Sequence, residues 1–139
     1  MIKELVTDTA ILSTPCEPAG AEDADLAQDV LDTLSSIEDA ACLAANQIGV
    51  AKAVIGYRDG KDVPHVMLNP KMVVGFGAIK ATEQCLTLEG ASNVMRYNKI
   101  KVAFDQIEDG KLVRRQRDFK GWQAQIIQHM MDHCAGKLV

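Results

Sequence analysis

His129 and His133 stand four residues apart in Gln128-His129-Met130-Met131-Asp132-His133. On a helix that spacing puts both imidazoles on one face, near enough to share one metal ion. It is the frame of the H-E-x-x-H pattern, in which the residue after the first histidine is a glutamate that serves as general base for the attacking water. Here that position is Met130, which carries no ionisable proton. Two imidazoles also leave a catalytic metal one protein ligand short of the usual three. His65, after Pro64 in a loop-like stretch, and Cys85, whose thiolate suits zinc or ferrous iron, compete for the third place, and spacing leaves that choice open.

Other residues with chemical potential lie upstream. Gln47 sits in Leu43-Ala44-Ala45-Asn46-Gln47-Ile48-Gly49, where small neighbours permit close approach and an amide can donate to a developing oxyanion. Taken alone, a glutamine in such a turn is usually structural. Glu83 and Arg96 are candidates for an internal ion pair across neighbouring strands, or for solvated surface charges. Cys16, Cys42 and Cys134 form no CxxC pair and read as small buried hydrophobes.

The elements that must position these groups follow from periodicity. Leu26, Val30, Leu34 and Ile37 recur at helical spacing, predicting an amphipathic helix from Asp25 to about Ile37. Pro15–Ala24, rich in Pro, Gly and acids, reads as an irregular lead into it. Short strands are expected over Ala51–Tyr57, over Val66–Leu68 before Asn69-Pro70, and over Met72–Val74. Lys99–Phe104 alternates as a half-buried strand, and Glu108-Asp109-Gly110-Lys111 supplies a hairpin turn to a partner beginning at Leu112. A final helix from about Trp122 to Ala135, closed by Gly136, sets Trp122, Ile126, His129 and His133 on one face. The expected fold class is α+β. One domain over residues 1–139 holds short, mostly antiparallel strands around a C-terminal metal-binding helix, with an amphipathic helix nearer the N-terminus.

Composition bounds the function. At 139 residues, with 47% hydrophobic and 24% charged residues, the chain is of ordinary globular type and can bury a core without disulfides. A formal charge of −4 offers no basic footprint, so nucleic acid is not expected as a direct ligand. No apolar run approaches the roughly 20 residues of a membrane span, and the polar start Met1–Asp8 does not read as a signal peptide. A cytoplasmic location without membrane attachment is the expectation.

Three segments resemble, in order, the three motifs of the peptide deformylase family. Ala40-Ala41-Cys42-Leu43-Ala44-Ala45-Asn46-Gln47 is similar to G-Φ-G-Φ-A-A-x-Q across its second half. Glu83-Gln84-Cys85-Leu86-Thr87 matches E-G-C-L-S, and Gln128–His133 matches Q-H-E-x-D-H. Met1–Val6, Asn69-Pro70 and the Val94-x-Arg96 step fit as well, so the resemblance spans nearly the whole chain.

The resemblance implies that Cys85, His129 and His133 hold one divalent metal, Fe2+ by family expectation, with Zn2+ or Ni2+ as substitutes. It implies that Gln47 and the backbone N–H of Leu86 hold the formyl oxygen, while Glu83, Arg96 and Asp132 give structural support. The implied substrate is the N-formyl-methionyl end of a nascent peptide, cleaved to formate and a free amine. Met130 departs from the pattern at the general acid/base position, so an impaired hydrolase is expected; the alternative is a catalytically silent, metal-binding homologue that binds peptide N-termini. Glycines of the family motifs are replaced at Ala40, Cys42 and Gln84, side chains that would narrow a substrate groove. Val139 lies six residues beyond His133, whereas many bacterial members continue with further helix that mediates ribosome contact, and that partnership stays open.

Overall fold

The computed structural model describes residues 1–84 and 91–137. A short helix α1 (Thr9–Leu12) precedes the long helix α2 (Ala24–Ser36), and the C-terminal helix α3 spans Gly121–Cys134. Between α2 and α3 run β1 (Cys42–Ala44), a 3-10 turn over Ala45–Ile48, β2 (Val54–Arg58), β3 (Pro64–Gln84), β4 (Ala91–Glu108) and β5 (Lys111–Lys120). The five strands form one antiparallel sheet in sequence order, β1-β2-β3-β4-β5. The α+β expectation holds.

Strand length is where sequence and structure part. The two short strands expected either side of Asn69-Pro70 are one 21-residue strand, β3, and the Lys99–Phe104 strand is the middle of the 18-residue β4. Register shifts between Leu68 and Lys71 and between Met72 and Val74 reconcile the two readings. Proline has no N–H to give the ladder, so the pairing slips around it instead of ending. Asn69, at φ 51°, is held there by its own side chain. Its Nδ2 donates to Ala19 O and Asp105 Oδ2, and its Oδ1 accepts from Ala19 N, all within 2.9 Å. The predicted β4–β5 turn is present, with both Asp109 (φ 51°) and Gly110 (φ 75°) left-handed, the geometry that suits a two-residue hairpin.

Alternation along the strands splits the core into two layers. Ala44, Ile55, Tyr57, Met67 and Val102 pack with Ala124, Ile127 and Met130 of α3. Leu43, Val54 and Leu68 pack with Ala27, Val30 and Leu34 of α2. Neighbouring strand residues thus serve opposite faces, as a pleated strand requires. α2 lies close on the sheet at Gly56, where a Cβ would stand 3.0 Å from Val30 Cγ1 and 3.2 Å from Leu34 Cδ2. Arg58 then anchors the end of α2. It donates from Nη2 to Leu34 O (2.9 Å) and Ile37 O (3.2 Å), and from Nε to Ala40 O (2.8 Å). Those bonds fix where the chain enters β1.

Candidate metal centre

Three elements bring the site together: α3, the β1 strand with its 3-10 turn, and the end of β3. On α3 the i,i+4 spacing brings the two imidazoles together at a tilt of 55°, with His129 Nε2 and His133 Nε2 3.2 Å apart and ring centroids 4.9 Å apart. Both side chains are buried. His129 Nδ1 lies 2.7 Å from Glu83 Oε1. A carboxylate there favours the tautomer with the proton on Nδ1, which turns the Nε2 lone pair towards the shared point. Two nitrogens converging in this way fit a divalent ion.

Glu83 is itself held. Arg96 donates to it from Nη2 (2.7 Å) and Nε (3.0 Å to Oε2), and spends Nη1 on Asp132 Oδ2 (2.7 Å). Glu83 and Arg96 are both buried, so the choice between ion pair and solvated charges resolves to the ion pair. Burial alone would raise the Glu83 pKa, but hydrogen bonds from His129 and Arg96 bring it down to about 2. Burial alone would lower the Arg96 pKa, but Glu83 and Asp132 raise it. Asp132 faces this cation.

Two residues that spacing alone did not single out set the pose of α3. Gln128 Oε1 accepts from Tyr97 N (2.9 Å), and its Nε2 donates to Tyr97 O (2.8 Å) and Ala124 O (2.9 Å). The amide thus acts as one more rung of β4, clamping the helix to the sheet one residue before His129. Asn46 Nδ2 donates to His133 O (2.8 Å), tying the 3-10 turn to the second histidine. Polar residues buried beside the histidines were the available signal, but their partners lie 31 and 87 positions away.

A cavity of about 400 Å³ opens beside this cluster. Ala41, Cys42 and Gln47 form one wall, Thr82 and Glu83 another, and Trp122, Ile126, His129 and Met130 the helix side. Gln47 Oε1 accepts from Ala44 N (2.9 Å), so the amide nitrogen is the end that can donate towards the cavity. The turn that carries it closes at Gly49, left-handed at φ 92°. Met130 is 2% exposed and packs with Ala44 and Ile126 while lining the cavity. Asp132 does not line it.

Of the contenders for a third ligand, His65 is engaged elsewhere, its Nε2 2.8 Å from Asp59 Oδ2 and its ring stacked on Tyr57. Among the described residues no group of three His, Cys, Asp or Glu side chains is placed to hold a metal. Cys85 and the Leu86 backbone N–H lie outside the described residues.

The family model described as polypeptide deformylase matches residues 2–139. The chain belongs to the polypeptide deformylase family. A peptide deformylase of Clostridium beijerinckii is 34% identical over 140 residues, with both chains covered in full. One from Aquifex aeolicus is 35% identical over 98% of this chain and 84% of its own. Among solved structures, the crystal structure of peptide deformylase from Thermus thermophilus superposes with a TM-score of 0.84 at 27% identity, covering 99% of this chain and 84% of that one. Family and fold support a deformylase-like function. Among the described residues, no helix is long and apolar enough to cross a membrane.

Proposed function

We propose that this chain is a metal-dependent formyl-amide hydrolase of the deformylase type, acting on N-formyl-methionyl peptides and slowed by the loss of its general acid/base. One observation carries the reading: His129, whose Nε2 converges with that of His133, borders the same cavity as Gln47 and Met130. His129, His133 and Cys85 would hold one divalent ion, Fe2+ by family expectation, with Zn2+ or Ni2+ able to substitute. Such an ion supplies Lewis acidity at the carbonyl and acidifies the attacking water.

The chain's own groups account for the rest. The Gln47 amide donates to the formyl oxygen as charge builds on it, with the Leu86 backbone N–H as second donor. Glu83 fixes the tautomer of His129, and Arg96 keeps Glu83 charged, with Asp132 as its second anion. The aliphatic and thioether wall formed by Ile126 and Met130 suits an unbranched methionine side chain. At the motif's acid/base position Met130 offers no carrier for the proton that must reach the leaving amine. Glu83 is committed to Arg96 and His129, and Asp132 to Arg96. General acid–base assistance is worth ~10²–10⁴ in rate, which sizes the expected deficit.

The burial of Met130 favours a second reading, in which the same cavity binds peptide N-termini without cleaving them. Formate release from a formyl-Met peptide, measured on anaerobically purified protein of known metal content, separates the two. Slow, metal-dependent turnover supports the hydrolase. Peptide binding with no formate released supports the silent homologue.

A further inference from the structure

We propose that Cys16 and Cys134 are a built-in dithiol pair that closes to a disulfide by exchange with a small-molecule disulfide, tying the N-terminal segment to the end of the helix that carries both histidines. The two are 118 positions apart in sequence, yet Cys16 N donates to Cys134 O at 2.8 Å. A direct main-chain bond keeps the two Cα atoms within the roughly 4.4–6.8 Å that a disulfide spans. Both cysteines are reduced and partly exposed.

The backbone around both sulfurs is fixed before any bond forms. On the far side of Cys16, Glu17 N donates to Ala51 O and Glu17 O accepts from Ala53 N, each at 2.9 Å. Beyond Cys134, Gly136 adopts φ 79° and lies so close to the Ser13–Pro15 backbone that a Cβ would stand 2.6 Å from Ser13 O. Little chain movement is therefore needed for the sulfurs to meet.

The exchange balances in two steps. The Cys16 thiolate attacks one sulfur of the external disulfide, forming a mixed disulfide and expelling one thiolate. The Cys134 sulfur then attacks Cys16 Sγ, forming the internal S–S bond and expelling the second. Two protein thiols are oxidised, one small disulfide is reduced, and the two thiol protons leave with its halves.

The metal-loaded protein, incubated with oxidised glutathione, provides the test. The expected product has lost two titratable thiols and the mass of two hydrogens, yields a Cys16–Cys134 linked peptide on proteolysis, and reverts with dithiothreitol. Because the bond closes almost the entire chain into a loop, the oxidised form should melt roughly 10 °C higher. Cys16→Ser and Cys134→Ser should each abolish both the linkage and the shift; if one fails to fold, the other and the wild-type peptide map suffice. A glutathione adduct persisting on Cys16, a linkage involving Cys42 or Cys85 in its place, or no reaction would each overturn the proposal. None of these readouts depends on deformylase activity.

Discussion

Glu83 Oε1 stands 2.7 Å from His129 Nδ1 and 2.7 Å from Arg96 Nη2, so one carboxylate oxygen joins a strand cation to a helix imidazole. The relay fixes which nitrogen of His129 faces His133. It links two β-strand residues to the chemistry of a helix imidazole 46 positions beyond Glu83.

Breaking it should be costly in two ways. Arg96→Ala leaves Glu83 buried and Asp132 half-buried without their cation, which should destabilise the fold by about 3–5 kcal/mol in urea unfolding. Glu83→Gln keeps the volume but removes the charge that orients His129, and metal affinity should fall about 10–100-fold in competitive chelator titrations. Unchanged affinity in Glu83→Gln would separate the relay from the metal centre.

Met130→Glu restores an ionisable group at the cavity wall, and formate release should rise about 10²–10⁴-fold at constant metal content. The glutamate replaces a buried thioether, so some stability will be lost, and melting curves should accompany the assay. A wild-type rate equal to that of the variant would mean that another group already carries the proton.

Gly56→Ala should test the contact between α2 and the sheet. The added methyl enters at 3.0 Å from Val30 Cγ1, and overpacking of this kind costs about 1–3 kcal/mol. Denaturant unfolding of the variant measures it; a neutral result would show that α2 shifts freely.

Asp59 offers a pH signature remote from the metal centre. Its carboxylate is bonded first by His65 and then by the Val63 and Lys61 backbone N–H groups, and these hold its pKa at about 2. The unfolded value is about 3.9, so the group is more acidic when folded. Its contribution to stability is therefore present above about pH 4 and lost as pH falls through about 2. An NMR titration of the Asp59 carboxyl carbon should show this midpoint, and His65→Ala should move it upwards. An ordinary midpoint in the wild type would show that the pair does not hold in solution.

The local sequence determined what local forces control. The bounds of α2 and α3, the Asp109-Gly110 turn and the shared face of His129 and His133 all follow from periodicity and turn chemistry, which act within a few residues. The deformylase resemblance was likewise written in three contiguous motifs. Tertiary structure decided the rest. Proline at position 70 argued for two strands, but ladder bonds on either side outweigh one missing donor, and β3 runs through as a bulged strand. The spacing of His65 and Cys85 could not rank them as ligands; pairing of β2 with β3 places His65 on Tyr57 and Asp59, away from the histidine cluster. Glu83 and Arg96 could have been an internal ion pair or solvated charges until β3–β4 pairing and α3 buried them together. The clamp of Gln128 on Tyr97 and the meeting of Cys16 with Cys134 join segments 31 and 118 residues apart, and no local pattern encodes such distances. Contacts of that kind exist once the sheet and helix have packed, because it is packing that sets which polar groups must satisfy one another away from water.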